Sequence, residues 1–278
     1  EGSRAFGPGT ADMKGGLLSG LYAVRALQDG GGQVPSITYV CNPDEELGSP
    51  FSSAIIAERA RDADVCFVLE AARESGDIVS ARKGVRDFHI VYRGRAAHAG
   101  VEPERGRSAT LQAAHTTLRL HELNGRWDGV TVNVGVIEGG TRPNVVAERC
   151  ELQADMRALT ATTYEEAARE IDRVARDVVV PDVTVEITSR SQFPPMEKLP
   201  ATAELVERAA AMAKQLGFEL RDATTGGASD ANGVAALGIP TLDGLGPIGG
   251  GPHGPDEWLD LDSVVPRTTL LGALVAAA

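Results

Sequence analysis

The chain has 278 residues, enough to bury a sizeable core as one large domain or two ordinary ones. Hydrophobic residues make up 42% and charged residues 24%, as in ordinary globular proteins. The net charge of −12 argues against nucleic acid or an anionic membrane as partner. No apolar run approaches the ~20 residues that span a bilayer, so we expect a soluble protein.

The first part of the chain alternates helix and strand patterns. A helix is predicted just after Asp12, a buried strand at 37–41, a helix over 50–62 and a strand at "VCFVLEA". Apolar strands between helices predict a mostly parallel sheet covered on both faces. Sites in such sheets form beyond the carboxyl ends of strands. Four acidic residues fall at such ends: Asp12, Glu45, Glu46 and Glu70.

The pattern changes at about residue 85, where strands with one polar face begin. Strand, helix, strand, strand, helix and strand follow, which is the βαββαβ order of a ferredoxin-like α+β domain. Helix and strand alternation then resumes after the proline-rich "QFPPMEKLP". We therefore predict an α/β domain, residues 1–84 and 193–278, interrupted by a second domain at 85–192.

Three well-separated cysteines, Cys41, Cys66 and Cys150, do not suggest a disulfide framework. Two of them lie in strand-like runs, which predicts buried thiols. Free thiols favour a reducing compartment, so we expect the cytoplasm. Export stays open, because the sequence starts in what reads as the middle of a loop.

The adjacent carboxylates of "NPDEELGSP", Glu45 and Glu46, have two interpretations. Asn, Pro, Asp and Gly are loop residues, so a solvated turn would explain the pair. The alternative is two carboxylates with different roles at a site. In an extended chain neighbouring side chains point to opposite sides, so one could bind a metal ion while the other reaches water.

Other candidates also have structural alternatives. Asp12 could cap a helix, and His253, in the glycine-rich "GLGPIGGGPHGPDEW", could be a surface histidine. Glu70 could pair with Arg73 or Arg82. The set as a whole favours a site, because carboxylate and imidazole ligands at neighbouring strand ends are what a hydrolytic zinc site requires.

Seven motifs, in order along the whole chain, carry a family resemblance: "GPGTADMKGGL", "NPDEELGS", "VLEA", "GRAAHAG", "RPNVVAERCELQADMR", "GGASDA" and "GPHGPDEW". They resemble the dinuclear zinc aminoacylase and carboxypeptidase superfamily, and within it the bacterial glutamate carboxypeptidase branch. The resemblance implies hydrolysis of an amide bond in an N-acyl amino acid or small peptide.

The resemblance also implies a ligand set for two zinc ions, for which cobalt or manganese could substitute. Asp12 would bridge the ions, Glu46 and His253 would bind one, and Glu70 the other. Glu45 would be the general base that takes a proton from the metal-activated water and passes it to the leaving amine.

Further site residues follow from the same motifs. His98 matches a histidine of the inserted domain that reaches across a dimer interface to stabilise the oxyanion, and its alternative is an ordinary strand-end histidine. Asn144 would lie near the oxyanion. Arg157 would bind the substrate carboxylate, or form a surface salt bridge. The backbone of a loop would lie against the substrate at Gly226, Gly227 and Ser229.

The inserted domain is expected to mediate a homodimer and could close over the substrate about hinges near residues 84 and 193. One family feature is missing, because the His-x-Asp motif that supplies the second zinc's histidine has no counterpart in this sequence. Three functions stay open. These are a two-zinc amide hydrolase, a carbamoyl or ureido amidohydrolase of the same superfamily, and a non-catalytic truncated relative.

Overall fold

The structure, a computed structural model, describes residues 2–31 and 34–278. The chain divides into two compact units. One combines Glu1–Arg82 with Met196–Ala278, and the other, Lys83–Pro195, interrupts it. Within the described ranges, no helix is both long and apolar enough to cross a lipid bilayer.

Local signals explain where several helices begin. The Ser108 and Thr160 side chains each accept a hydrogen bond from the backbone N–H three residues later, at 3.1 and 3.2 Å. Pro200 lies in the first helical turn, where a missing N–H costs nothing. In chain order the helices are α1 (Gly15–Asp29), α2 (Ser53–Ala60), α3 (Ala109–His121), α4 (Ala161–Arg176), α5 (Pro200–Gln215), α6 (Asp230–Ala235) and α7 (Leu261–Ala276).

The strands differ in length between the two units, since the long ones all lie in the inserted unit. In chain order they are β1 (Arg4–Phe6), β2 (Cys66–Phe67), β3 (Ile78–Arg82), β4 (Gly84–Arg93), β5 (Thr131–Gly139), β6 (Arg149–Ala158), β7 (Thr184–Phe193), β8 (Asp222–Thr225), β9 (Thr241–Leu242), β10 (Gly249–Gly250) and β11 (Trp258–Asp260).

The inserted unit is built on one antiparallel sheet with the strand order β5-β6-β4-β7. Helix α3 follows β4 and helix α4 follows β6, so its elements run βαββαβ along the chain. Every second residue along each strand points inward, and these side chains pack against the apolar stripes of both helices. The fully buried side chains of Ile90, Leu152 and Ile171 belong to this core.

The interrupted unit contains several small sheets. Strands β2 and β9 pair in parallel, as do β3 and β8, while β1, β11 and β10 form an antiparallel sheet. Its core includes Ile78, Leu242, Leu245 and Leu270. The mixed α/β class predicted from sequence is confirmed, but the parallel pairing among the described residues is limited to two-stranded pieces.

The predicted strand at 37–41 is wrong. This segment belongs to no sheet, and Ile37 and Val40 are 37% and 41% exposed. A strand needs a hydrogen-bonded neighbour, and the ladders of the described residues offer none beside this segment. Cys41, predicted to be buried, is therefore exposed, whereas Cys66 is half-buried and Cys150 buried.

Candidate metal centre

Asp12 lies in an irregular turn and does not cap a helix. The turn Thr10–Lys14 is π-type, and the torsions of Asp12 (φ −113°, ψ 90°) are not helical. Helix α1 begins only at Gly15, with Lys14 as its N-cap residue, so the helix starts later than predicted. The turn leaves the Asp12 carboxylate about three-quarters buried, at 23% side-chain exposure, facing His253.

Glu45 and Glu46 lie in a short 3₁₀ turn, Glu45–Leu47, and not in an extended segment as expected. Asp44 stabilises the segment around this turn, because its carboxylate accepts hydrogen bonds from the backbone N–H of Phe51 at 2.9 Å and of Ser52 at 3.1 Å. The hydroxyl of Ser52 also donates to Asp44, and these bonds lower the pKa of Asp44 to about 2. With about three residues per turn, successive 3₁₀ side chains still point in different directions.

His253 lies in the loop between β10 and β11, in the left-handed backbone region with φ 61°. For a residue other than glycine that conformation costs roughly 1–2 kcal/mol. It aims the imidazole at two carboxylates, with Nε2 3.3 Å from Asp12 Oδ2 and 3.2 Å from Glu46 Oε2. The negative charge of Glu46, with that of Asp12, raises the pKa of His253 above its usual value.

Asp12, Glu46 and His253 form a cluster that could hold a metal ion. Each offers one ligand atom, and these atoms all lie within 4.8 Å of one another. Two oxygens and one imidazole nitrogen suit a borderline divalent cation, and three protein ligands leave a coordination position open. Segments that are far apart in sequence thus supply one compact ligand set.

Glu45 lies beside this cluster in a strongly negative environment. Burial, together with the charges of Asp230, Glu46 and Asp12, raises the pKa of Glu45 to about 7. A carboxyl group that titrates near neutrality can both accept and return a proton, which is what a general base in hydrolysis must do.

Glu70 follows β2 and is also close to the acidic cluster. Burial, with the charges of Asp243, Asp12 and Glu45, raises the pKa of Glu70 to about 9. Among the described residues, it forms no ion pair with Arg73 or Arg82, which was its structural alternative. A buried carboxyl group crowded by others is a candidate for metal binding, because a cation would offset that repulsion.

A buried network supports the loop that was predicted to line the substrate. Arg82 donates from Nε to Asp243 at 2.7 Å and from Nη1 to the carbonyl of Gly227 at 3.1 Å. The Ser229 hydroxyl donates to Asp243 at 2.6 Å and also caps α6, accepting from the N–H of Ala231. The Ser229 side chain is thereby committed to the fold.

The inserted unit brings two of its predicted site residues together. His98 and Val145 form a β-bridge, and the N–H of Ala99 donates to the carbonyl of Asn144 at 3.0 Å. The ring of His98 accepts from the N–H of Gly100 at 3.2 Å and is otherwise exposed.

Arg157 lies on β6 and donates from Nε to Asp155 at 3.0 Å. The surface ion pair weighed as its alternative is therefore present, with the Arg157 side chain 38% exposed. Such a pair contributes little to stability, so it does not by itself assign Arg157 a structural role.

Three carboxylates near the centre were missed by the sequence reasoning: Asp230, Asp243 and Glu257. Asp230 accepts from Asn42 Nδ2 at 2.8 Å and from the hydroxyl of Ser49, which ties α6 to the segment of Glu45. Asp243 follows a short apolar strand, the same signal that singled out Glu70. Glu257 lies four residues after His253, in the same motif, where only the histidine carries a recognisable ligand signal.

Comparison with known proteins assigns the family. Residues 1–277 match the family described as Peptidase family M20/M25/M40, and the chain belongs to it. This is a family of hydrolases that includes metallopeptidases and is in general metal-dependent.

Individual relatives agree with this class. The chain is 29% identical over 277 residues to carboxypeptidase G2 of Pseudomonas sp. (strain RS-16), covering 98% of this chain and 66% of that protein. It is 26% identical to the succinyl-diaminopimelate desuccinylase of Dechloromonas aromatica (strain RCB), covering 93% of this chain and 71% of that protein. These names describe hydrolases of amide bonds.

A solved structure supports the fold. The aminopeptidase PepT from Bacillus cereus ATCC 10987 superposes with a TM-score of 0.85 at 26% identity, covering 99% of this chain and 74% of that chain. The chain thus spans about two thirds to three quarters of the length of these three relatives.

Proposed function

We propose that the protein is a zinc-dependent hydrolase that cleaves the amide bond of an N-acyl amino acid or small peptide. The observation that carries this proposal is the convergence of Asp12, Glu46 and His253 beside Glu45. Chelating ligands next to a carboxyl group poised near neutrality are the parts that metal-assisted hydrolysis needs.

The ligand types support zinc. Two carboxylates and one imidazole are groups that zinc binds in proteins, and three protein ligands would leave a position for water. Cobalt or manganese would accept the same oxygen and nitrogen ligands. For a second ion, Asp12 and Glu70 would each contribute a carboxylate.

Zinc bound there would polarise the scissile carbonyl and lower the pKa of a water molecule from 15.7 to about 7. Glu45 accepts the proton of the water that attacks the carbonyl carbon, because a carboxyl group with a pKa of about 7 is substantially ionised at neutral pH. As the carbon–nitrogen bond breaks, Glu45 returns that proton to the leaving nitrogen. The products are a carboxylic acid and a free amine.

The proposal also assigns roles to the two domains. Residues 1–84 and 193–278 would form the catalytic domain, and 85–192 a ferredoxin-like domain, a proposal supported by its βαββαβ order and antiparallel sheet. His98 and Asn144 would stabilise the oxyanion and Arg157 would bind the substrate carboxylate. Gly226, Gly227 and Ser229 would present backbone to the substrate.

We also propose that the inserted domain mediates a homodimer and that the protein works in the cytoplasm. Free thiols at Cys41, Cys66 and Cys150 support a reducing compartment. The exposed edge strand β5 supports the dimer.

A substitution of the proposed base tests the mechanism. Glu45→Gln keeps the size of the side chain but removes its basicity, so turnover should fall by about 10²–10⁴-fold. Zinc content, measured by elemental analysis, should stay at the wild-type level because Glu46 is the ligand. Glu58→Gln, at an exposed position of α2, is the matched control, and undiminished turnover in Glu45→Gln would refute the assignment.

A substrate panel tests the bond type. We would supply zinc and assay N-acyl amino acids, folate-type glutamates, small peptides and ureido acids, measuring release of the amine. Turnover of the acyl or peptide compounds supports the proposal, whereas turnover of ureido acids alone would favour a carbamoyl or ureido amidohydrolase. No turnover and no bound zinc would indicate a non-catalytic relative.

A further inference from the structure

Glu257 connects the two segments that carry Asp12 and His253. Its carboxylate accepts three backbone hydrogen bonds from the Asp12 turn: from Gly9 N–H at 2.7 Å, Ala11 N–H at 2.9 Å and Asp12 N–H at 2.9 Å. The residue itself is only 4% exposed. A carboxylate offers about four acceptor positions, so one side chain satisfies all these donors.

The Asp12 turn needs such a partner. Gly9, Ala11 and Asp12 lie at the start of this turn, where backbone N–H groups have no acceptor within the turn itself. A buried N–H left without an acceptor destabilises the fold, because it loses its hydrogen bond to water and gains none in return. Bonds to a carboxylate are stronger than bonds between neutral groups, so Glu257 holds this turn firmly.

The other end of the connection is the His253 loop. Strands β10 and β11 pair antiparallel and close the loop at its base, and Glu257 immediately precedes β11. Strand β11 also pairs with β1, and the carbonyl of Glu257 accepts from the N–H of Gly7 at 3.1 Å. Backbone and side chain of one residue therefore bind the segment that leads into Asp12.

We infer that Glu257 is a positioning residue that fixes the Asp12 turn against the His253 loop and so preorganises the metal site. The inference rests on the proposed function, since it concerns the affinity of that site for its ion. The carboxylate of Glu257 is not one of the three ligand atoms of the candidate centre. It acts because ligands held in place before binding lose less freedom when the ion binds.

Zinc affinity tests this role directly. Glu257→Gln keeps the shape but replaces one acceptor oxygen with an amide donor, which faces an N–H group that is also a donor. In a chelator-competition titration with zinc alone, the dissociation constant should rise about 10–100-fold relative to wild type. Asp256→Asn, the exposed neighbour on the same loop, is the matched control and should bind zinc like wild type.

Amide hydrogen exchange by NMR supplies a second readout, made without metal. In Glu257→Gln the amides of Gly9, Ala11 and Asp12 should exchange roughly tenfold faster or more, while core amides of α5 keep their protection. If Glu257→Gln does not fold, Glu257→Asp keeps the charge but is one methylene shorter, and it should weaken zinc binding by a smaller factor.

The outcomes separate the two proposals. A wild-type chain that binds no zinc would refute the proposed function, and amide exchange would still report whether Glu257 holds the turn. Zinc binding by wild type with an unchanged dissociation constant in Glu257→Gln or Glu257→Asp would overturn the inference alone. Equal weakening in Asp256→Asn would overturn it too, because the effect would then reflect loop charge.

Discussion

At the residue scale, the candidate centre is defined by carboxylates that raise one another's pKa. Burial and neighbouring negative charge raise the pKa of Glu45 to about 7 and that of Glu70 to about 9. Arg82 lowers the pKa of both, but its guanidinium is already paired with Asp243. A bound dication would relieve the repulsion that remains, so metal binding and stability should be linked.

This linkage predicts how the metal-free protein responds to pH. Glu45 and Glu70 bind more protons in the folded state than in the unfolded state between about pH 4.5 and their raised pKa values. Stability must then fall as pH rises through this window. With a chelator present, we expect the free energy of unfolding, measured by urea titration, to decrease from pH 5 to pH 8.

Glu70→Gln serves as the comparison for that measurement. The amide cannot ionise, so the variant should lose less stability than wild type over the same pH interval, by about 1 kcal/mol or more. Added zinc should reverse the wild-type loss. A wild-type stability that rises from pH 5 to pH 8 without metal, or a variant with an identical profile, would contradict the assigned electrostatics.

The predictable part of the site consists of residues that lie in motifs resembling those of the family. Asp12, Glu46 and His253 were predicted together, and their ligand atoms converge. Glu257 was not predicted, because sequence does not reveal that its carboxylate meets backbone N–H groups 246 and 248 positions away. An acidic residue in a loop looks the same whether it faces solvent or a buried turn.

At the element scale, α7 binds the loop that follows β9 and the turn that precedes β3. Arg267, on its buried face, is 2% exposed and donates to the carbonyls of Gly246 at 3.1 Å, Gly76 at 2.7 Å and Gly244 at 2.5 Å. Burial lowers the pKa of Arg267 to about 10. One guanidinium thus donates hydrogen bonds to three backbone carbonyls that lie outside helices and strands.

Replacing this arginine should destabilise the protein strongly. Arg267→Met fills similar space but leaves buried carbonyl groups without donors, each costing about 1–3 kcal/mol. We therefore expect a loss of at least about 3 kcal/mol in the free energy of unfolding, measured by urea titration. Arg208→Met, on the exposed face of α5, should change it by less than about 0.5 kcal/mol. Similar effects in both variants would show that the contacts of Arg267 contribute little.

Elements with strong local patterns were predictable and short ones were not. The helices and long strands of the inserted unit follow apolar periodicity, because each contributes one face to a common core. Strands β10 and β11 have two and three residues, and β10 consists only of glycine, so no periodicity could reveal them. They nevertheless hold the base of the His253 loop.

At the scale of the whole molecule, the inserted unit presents a sheet edge suited to self-association. Strand β5 lies at one edge of the sheet, and Val136 and Ile137 on it are 42% and 55% exposed. Unpaired backbone N–H and C=O groups beside exposed apolar side chains can pair with a strand of another chain. A second copy of this chain could extend the sheet by pairing β5 with β5.

A charged residue on this edge should prevent the dimer. Ile137→Lys places an ammonium group in the proposed contact, where two symmetry-related copies would face each other. We expect sedimentation velocity to show wild type as a dimer and Ile137→Lys as a monomer with unchanged thermal stability. Ser189→Lys on the opposite edge strand β7 should remain dimeric. A monomeric wild type, or a dimeric Ile137→Lys, would reject this interface.

By itself, the sequence determined the types of ligand, the order of the elements and the family to which the chain is similar, because these depend on local periodicity and on motifs read along the chain. Only the tertiary structure decided which carboxylates face one another, that Glu45 and Glu46 share a 3₁₀ turn, and that Glu257 accepts hydrogen bonds from the Asp12 turn. Those features join residues up to 248 positions apart, and contacts of that kind exist only once the core has brought the segments together.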